Sequence, residues 1–305
     1  MIVCQSLTKR YGSLRALDSL DLEITGGDPV GLVGANGAGK STLFATLCGF
    51  IKPTAGEVSI FDQPVDSPTL KGKIGILPQD VNMFRNLSVF KQLCHFARLQ
   101  GYRRQEAINE SNRVLSLIDI KQLAKQYPET LSFGQRKKVM LAQALIGNPD
   151  LILLDEPTSG LDPVAVNDIH KLFGEIGRQA QLIISSHNLA EIEDICQQII
   201  VLNKGKLVKT SSINELKHAN QCFSVTLDRP ANSVIEHLQG LENVEQVLLN
   251  DADNKLLQIY FNGNNANKIQ IAIINKLNDN QFNVVEISRG ATLADEVSEL
   301  LRSSN

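Results

Sequence analysis

Residues 30–42 read Val30-Gly31-Leu32-Val33-Gly34-Ala35-Asn36-Gly37-Ala38-Gly39-Lys40-Ser41-Thr42. The run Val30–Val33 predicts a buried strand, and Ser41 to Phe50 predicts a helix that ends near Pro53. Between them lies the pattern G-x-x-x-x-G-K-[ST], whose glycines let the backbone turn its N–H groups around phosphate oxygens. The helix N-terminus adds the positive end of its dipole. This order predicts a P-loop, with the Lys40 ammonium facing the terminal phosphates and the Ser41 hydroxyl reaching Mg²⁺.

A second candidate element is the carboxylate pair Asp155-Glu156, which follows the apolar run Leu151–Leu154. Such a run predicts a buried strand, and α/β sheets bind ligands beyond the carboxyl ends of their strands. We expect Asp155 in the shell of the metal and Glu156 beside the attacking water, which it would orient or deprotonate. Alone, the pair would more often be a solvated turn or a helix cap; the upstream P-loop favours the catalytic interpretation.

The rest of residues 1–216 predicts an α/β domain. Leu182–Ser185 is another strand-sized apolar run, expected to lie parallel to Leu151–Leu154. Ile2–Leu7 and Leu17–Ile24 predict small antiparallel strands. Residues 85–147 carry apolar side chains at helical spacing, which predicts a helical insert.

Residues 220–305 predict a second, smaller domain after a polar connection at about 211–221. Its pattern is strand, helix, strand, strand, helix, strand and a final helix, expected at 222–227, 233–238, 244–249, 256–261, 266–277, 283–287 and 293–301. The order βαββαβ is typical of a small α+β domain of the ferredoxin-like, split βαβ type.

Composition restricts the class of protein. The 305 residues are 43% hydrophobic and 21% charged, an ordinary globular composition long enough for two cores. No apolar run approaches the roughly 18 residues of a membrane helix, and the N-terminal stretch lacks the pattern of a secretory signal, so a cytoplasmic location is expected. The five cysteines include no Cys-x-x-Cys pair, which argues against a disulfide framework and a structural zinc site.

Charge argues against a nucleic-acid partner. Residues 1–219 carry 24 basic and 22 acidic side chains, and residues 220–305 carry 6 and 11, so the net charges are +2 and −5. Proteins that bind nucleic acids usually need a strongly basic surface. The basic triplet Arg136-Lys137-Lys138 is interpreted as a solvated helix face.

The segment Leu131-Ser132-Phe133-Gly134-Gln135 resembles the signature motif of the ATP-binding subunits of ABC transporters, with Phe133 where the family usually has glycine. Ser132 also fits an ordinary helix N-cap, and both roles can hold. The resemblance covers residues 2 to about 216 and implies a P-loop NTPase core with an antiparallel β subdomain, the helical insert, and ATP and Mg²⁺ as ligands.

Four further motifs resemble the family in their order along the chain. Tyr11 resembles the aromatic residue that stacks on adenine, and Gln79 resembles the Q-loop residue that touches Mg²⁺ and the water while sensing the membrane partner. Ser159-Gly-Leu-Asp162 resembles the D-loop, and His187 resembles the switch histidine that contacts the γ-phosphate. Without the other motifs, Tyr11 would be interpreted as a packing residue of a turn and Gln79 as an ordinary loop glutamine. His187 would be interpreted as a core histidine with satisfied hydrogen bonds.

The resemblance also assigns roles to residues. Gly34 to Thr42 and Tyr11 are expected to bind ATP; Glu156, His187 and Gln79 to act in catalysis; and Ser41, Gln79 and Asp155 to hold the metal. Contacts to the ATP of an opposing subunit are expected from four residues: Ser132, Gly134, Gln135 and Asp162. The implied assembly is an ATP-dependent head-to-tail pair, either a homodimer or a pair with a related subunit.

Transport would require a separate integral-membrane permease that docks near Gln79 and the helical insert, with this chain peripheral on the cytoplasmic face of the membrane. The stretch Met83 to Val89 and the C-terminal appendage resemble subunits of ABC-2-type exporters. One alternative is a soluble ABC ATPase that acts on ribosomes or nucleic acid, whose relatives commonly carry tandem ATP-binding units or a long coiled coil. Another is a nucleotide-binding regulator without hydrolysis, which the presence of Glu156 and His187 disfavours.

Overall fold

The computed structural model describes residues 2–80, 82–213, 215, 222–250, 253–262, 265–289 and 293–303. The chain forms two compact units, Met1–Thr210 and Ser211–Ser303. The predicted boundary at 216–220 lies outside the described residues. The domain limits drawn from the sequence therefore stay a prediction, and each unit is described by itself.

The first unit contains an antiparallel sheet and a mainly parallel one. The strands are β1 (Ile2–Tyr11), β2 (Leu14–Ile24), β3 (Val30–Val33), β4 (Ala55–Ile60), β5 (Gln63–Pro64), β6 (Ile74–Leu77), β7 (Leu151–Asp155), β8 (Gln181–Ser185), β9 (Gln198–Asn203) and β10 (Lys206–Ser212), whose last two residues are counted with the second unit. The antiparallel sheet has the order β2-β1-β4-β5. Its first two strands confirm the antiparallel pair expected at the N-terminus, with Ile2 opposite Ile24.

The central sheet has the order β10-β9-β3-β8-β7-β6. Strand β3 pairs in parallel with β8 and β9, and β7 pairs in parallel with β6 and β8. Every residue of β3 and β7 is buried, as expected for strands covered on both faces. Parallel pairing brings the carboxyl ends of β3, β7 and β8 to one edge of the sheet, which positions the loops that follow Val33, Asp155 and Ser185.

Three helices follow strands of the central sheet: α1 (Lys40–Leu47), α5 (Pro163–Ile176) and α6 (Leu189–Ile195). Helix α1 ends three residues before the predicted limit at Phe50. Gly49 takes a left-handed φ of 70°, and the N–H of Phe50 returns to the carbonyl of Ala45 at 2.9 Å. This glycine-based termination stops the helix well ahead of Pro53.

The helical insert consists of α2 (Val89–Leu99), α3 (Arg104–Leu117) and α4 (Phe133–Ala144). Helix α4 begins after Ser132, whose hydroxyl accepts the N–H of Gln135 at 3.2 Å, while the Gln135 side chain accepts the N–H of Ser132 at 3.0 Å. This reciprocal pair is a capping box, and it confirms the predicted N-cap. Among the described residues, no helix is both long and apolar enough to cross a membrane.

The second unit contains β11 (Cys222–Leu227), α7 (Ile235–Gln239), β12 (Val244–Leu249), β13 (Leu256–Phe261), α8 (Ala266–Asp279), β14 (Val284–Arg289) and α9 (Leu293–Ser303). Its sheet has the order β12-β13-β11-β14, and all neighbouring strands are antiparallel. Apolar side chains of α7 and α8 join those of the sheet in one core, where Phe223 and Phe261 stack at 4.8 Å. This order is that of the expected split βαβ sandwich.

Candidate active site

The loop after β3 has a backbone path that only glycine accommodates at two positions. Gly34 and Gly39 have φ of 158° and 108°. A Cβ atom on Gly34 would lie 2.3 Å from the carbonyl oxygen of Leu202, and one on Gly39 would lie 2.5 Å from that of Ala16. The first and last glycines of the motif are therefore required by packing against neighbouring backbone.

Lys40 opens α1 and folds back over this loop. Its side chain is buried, and Nζ donates to the carbonyl oxygens of Gly34 at 2.7 Å and Ala35 at 3.2 Å. The ammonium is thus held inside the curl of the loop. A positive charge at this place, next to the N-terminus of α1, suits phosphate oxygens.

Asp155, the last residue of β7, is buried and bonded to two hydroxyl groups. Ser41 Oγ donates to Oδ2 of Asp155 at 2.7 Å, and the Ser185 hydroxyl donates to Oδ1. Hydroxyl and carboxylate oxygens are the donors that Mg²⁺ prefers, so Ser41 and Asp155 fit a magnesium site. Sequence reasoning missed Ser185; its place at the end of β8, level with Asp155 in the register, was the available signal.

Glu156 is fixed at its backbone and at its carboxylate. It has a left-handed φ of 51°, and its N–H donates to the carbonyl oxygen of Ser185 at 3.1 Å. Oε2 of Glu156 lies 2.7 Å from Nδ1 of His187. The Glu156 side chain is 12% exposed and that of His187 is 69% exposed. The carboxylate is held in place while the imidazole faces solvent.

A cleft of about 390 Å³ lies beside these residues, but Gly34, Ser185 and His187 are not part of its lining. Its lining includes Tyr11, Leu14, Ala16, Asn36, Gly37, Ala38, Gly39, Lys40, Ser41, Thr42, Gln79, Asp155 and Glu156. The structure thus brings Tyr11, the P-loop, Gln79 and the carboxylate pair together. Tyr11 is about half exposed, with the Lys9 ammonium 5.3 Å from its ring centroid. Leu14, exposed beside Tyr11, was not singled out in the sequence.

The residues expected to face an opposing subunit do not line this cleft. Ser132, Gly134 and Gln135 lie at the start of α4, and Asp162 caps α5. Oδ1 of Asp162 accepts the N–H groups of Ala165 at 3.0 Å and Val164 at 3.1 Å, and these backbone hydrogen bonds lower the pKa of the carboxyl. Asp162 therefore has a structural role as an N-cap.

The aromatic ring of Phe133 covers the D-loop of its own chain. Gly160 has a φ of 76°, and a Cβ atom there would lie 2.7 Å from Cε1 of Phe133. Leu161 approaches Gly134 in the same way, since a Cβ atom on that glycine would lie 3.0 Å from Cδ2 of Leu161. The signature segment and the D-loop are thus packed together within one chain.

The interpretation of Arg136-Lys137-Lys138 as a solvated face is wrong for Lys137. This residue is 2% exposed, and its ammonium donates to the backbone carbonyl of Glu156 and lies 5.8 Å from the centroid of the Phe133 ring. Burial lowers the pKa of Lys137, and the carboxylates of Glu156, Asp155 and Glu191 act in the opposite direction. A charge pattern along one helix could not reveal this contact, because the partner comes from the end of β7.

Glu191, also missed in the sequence, joins two loops of the site. It is buried, and its carboxylate accepts the hydroxyl of Thr158 at 2.5 Å and that of Ser186 at 2.7 Å. Thr158 directly precedes the D-loop, and Ser186 directly precedes His187. The buried Glu191 carboxylate of α6 therefore holds both the segment before the D-loop and the segment before His187 by hydrogen bonds.

A parallel sheet with a G-x-x-x-x-G-K-S loop after β3 and an Asp-Glu pair at the end of β7, two strands away, defines a P-loop NTPase. The family described as "ABC transporter" matches residues 17–159. An uncharacterized ABC transporter ATP-binding protein, YhaQ of Bacillus subtilis, is 33% identical over 85% of this chain and 86% of its own length. The chain belongs to the ABC transporter family, as an ATP-binding ATPase.

Other comparisons agree. The bacitracin transport ATP-binding protein BcrA of Bacillus licheniformis is 32% identical over 73% of each chain, and the methionine import ATP-binding protein MetN of Carboxydothermus hydrogenoformans is 31% identical over 90% of this chain and 85% of its own. A dimeric structure of the ATP-binding cassette MJ0796 in a post-hydrolysis state, bound to ADP and Pi, matches with a TM-score of 0.64 at 26% identity. It covers 70% of this chain and 98% of that one. These likenesses confirm the ABC ATPase fold.

Proposed function

We propose that this chain powers transport, in the export direction, through a separate integral-membrane permease, with Glu156 as the residue that activates water. The observation that carries the catalytic part is the placement of the Glu156 carboxylate at the P-loop cleft, held by His187 at 2.7 Å. A carboxylate in that position can orient the attacking water and accept its proton.

The other residues divide the remaining tasks. Lys40 offsets negative charge on the terminal phosphates, and the exposed imidazole of His187, whose Nδ1 lies against Glu156, would contact the γ-phosphate through Nε2. Ser41 and Asp155 would hold Mg²⁺ together with Gln79, and the ion would supply further neutralisation of phosphate charge. Because phosphoryl transfer needs chiefly positioning and charge stabilisation, these residues would supply the part of the catalytic work that one chain contributes.

The active assembly is a head-to-tail homodimer, or a pair with a related subunit, formed when ATP is bound. Ser132, Gly134, Gln135 and Asp162 lie outside the cleft of their own chain and are proposed to complete that of the partner. The dimeric MJ0796 structure supports such a pair.

Docking of the permease is proposed at the helical insert, next to Gln79. Phe84, which precedes the insert, is 48% exposed, stacks with Phe96 of α2 at 5.8 Å and meets His95 of α2 edge-on at 5.7 Å. A shallow cavity of about 210 Å³ lies among Phe84, Arg85 and His95. An exposed aromatic cluster with a recess suits an apolar segment from the cytoplasmic side of a membrane protein.

The direction is proposed from the resemblance of residues 83–89 and of the C-terminal unit to ABC-2-type exporters. Relatives include both an import protein and a lipopolysaccharide export protein, LptB of Haemophilus influenzae, which is 30% identical over 74% of this chain. Uptake assays in inside-out membrane vesicles test the direction: ATP-dependent accumulation of cargo in the vesicle lumen supports export.

Affinity purification from detergent-solubilised membranes tests the partner. We expect a multi-helix membrane protein to copurify with the wild type and to be lost with Phe84→Asp. Phe50→Asp is the matched control, because Phe50 is also exposed, at 66%, but lies before β4 and outside the aromatic cluster of Phe84, His95 and Phe96. Copurification with ribosomes in place of a membrane protein would favour the alternative of a soluble ABC ATPase.

A further inference from the structure

Lys137 is a buried cation that contacts the backbone of the proposed catalytic residue Glu156. It is 2% exposed in α4, between the signature segment and β7. A buried ammonium is unfavourable unless hydrogen bonds and opposite charges compensate for lost hydration. Here the Glu156 carbonyl accepts a hydrogen bond, and carboxylates of Asp155, Glu156 and Glu191 act on the ammonium.

The hydrogen bond from Lys137 is accepted by a residue whose backbone conformation is energetically unfavourable. Glu156 has a φ of 51°, a left-handed value that residues other than glycine seldom take. Its N–H donates to the carbonyl of Ser185, and its carbonyl accepts the Lys137 ammonium and the N–H of Ser159, the latter at 3.3 Å. Since both polar groups of the residue are held, the direction of its Cα–Cβ bond is set, and with it the starting point of the carboxylate.

The ring of Phe133 lies beside the Lys137 ammonium. It lies 5.8 Å from the Lys137 ammonium and packs against Gly160 of the D-loop. A cation over an aromatic face is stabilised, and the ring also limits access of water that would compete for the ammonium. The aromatic residue at this unusual position of the signature thus supports the bond to Glu156.

We propose that Lys137 is a positioning residue for ATP hydrolysis: from the signature helix it holds the Glu156 backbone so that the carboxylate meets the attacking water. The inference rests on the proposed role of Glu156. Lys137 also links the signature segment to Glu156. The helix that carries it, α4, begins at the segment proposed to contact the ATP of the opposing subunit.

Steady-state hydrolysis by Lys137→Met tests the proposal. Methionine fills similar volume without a donor or a charge. We expect kcat to fall about 10- to 100-fold, as for a misplaced catalytic group, with ATP affinity changed by less than about threefold. Lys171→Met is the control, since Lys171 is an exposed lysine of α5, and its kcat should match the wild type. An unchanged kcat in Lys137→Met would overturn the proposal.

A double-mutant cycle separates positioning from a general structural role. In the Glu156→Gln background the carboxylate that Lys137 positions is gone, so adding Lys137→Met should not lower the residual single-turnover rate further. An equal fold-loss in both backgrounds would show that Lys137 acts independently of Glu156 and would refute the inference. If Glu156→Gln alone hydrolysed ATP at the wild-type rate, the proposed function of Glu156 would fail instead.

Phe133→Ala provides a second cycle should Lys137→Met not fold, because Phe133 is 46% exposed and its removal leaves no buried cavity of ring size. Water then reaches the ammonium and weakens its hold on Glu156. We expect kcat to fall about threefold or more in the wild-type background and no further fall with Glu156→Gln. Equal losses in the two backgrounds would again contradict the proposal.

Discussion

Nδ1 of His187 and Oε2 of Glu156 lie 2.7 Å apart, although the two residues follow different strands of the central sheet. The contact depends on the pairing of β7 with β8, in which Asp155 is level with Ser185. Parallel register therefore places an exposed imidazole against a nearly buried carboxylate at the mouth of the P-loop cleft.

Glu156→Gln should retain ATP binding and lose hydrolysis. Glutamine keeps the size of the side chain but cannot accept a proton from water, and general-base catalysis contributes about 10²- to 10⁴-fold. We expect kcat to fall in that range and ATP to hold the subunits as a dimer. Size-exclusion chromatography with ATP measures the dimer; hydrolysis at an undiminished rate would end the assignment.

Lys40→Ala should weaken nucleotide binding. The variant removes the ammonium held over Gly34 and Ala35, and a hydrogen bond to a charged group contributes about 1.5–3 kcal/mol, or roughly 10- to 100-fold in Kd. Equilibrium titration with ATP measures the change. Lys71→Ala, at an exposed lysine away from the cleft, is the control, and equal affinities for the two variants would contradict the role of Lys40.

Two glycine-to-alanine changes should have opposite effects on stability. Gly39→Ala places Cβ 2.5 Å from the Ala16 carbonyl oxygen at a φ of 108°. We therefore expect the free energy of unfolding to fall by at least about 1–3 kcal/mol. We also expect ATP binding to be lost, because the change distorts the P-loop. Gly174→Ala lies in α5 with no atom within 4 Å of the added Cβ, and alanine favours a helix by about 0.5–1 kcal/mol. Urea unfolding of both variants measures the two changes in stability; stabilisation by Gly39→Ala would contradict the close approach of Gly39 to the Ala16 carbonyl.

Removal of the Asp162 N-cap should have an effect that depends on pH. The backbone hydrogen bonds to Asp162 lower its folded pKa, so its charged form contributes stability above the unfolded pKa, and this contribution is lost as pH falls through the folded pKa. We expect Asp162→Ala to lower the thermal midpoint at neutral pH and the difference from wild type to shrink in strong acid.

Asp162→Asn is the control for charge, since asparagine also caps helices. At neutral pH, Asp162→Asn should lower the thermal midpoint by less than Asp162→Ala does. If the difference in thermal midpoint between Asp162→Ala and the wild type stayed constant from neutral to strongly acidic pH, the charged form of Asp162 would not be the source of the stabilisation.

Local patterns predicted the elements that are continuous in sequence. Spacing and residue type were enough to predict four features. These are the P-loop between β3 and α1, the Asp-Glu pair after β7, the N-cap of α4 and the strand order of the second unit. Strands β4, β5, β6, β9 and β10 were not predicted individually. Strand β4 has glycine and charge in its first half, and its burial depends on pairing with β1, which is distant in the sequence.

The sequence by itself determined that a phosphate-binding loop stands between a buried strand and a helix, because the glycines, Lys40 and the apolar run act within a few residues of one another. Only the tertiary structure decided which distant groups serve it: Ser185 on Asp155, His187 and Lys137 on Glu156, and Phe133 on Gly160. The physical reason is that burial and hydrogen bonding depend on strand order and register. A lysine that looks solvated on its own helix becomes a buried donor once a neighbouring strand brings a carbonyl to it.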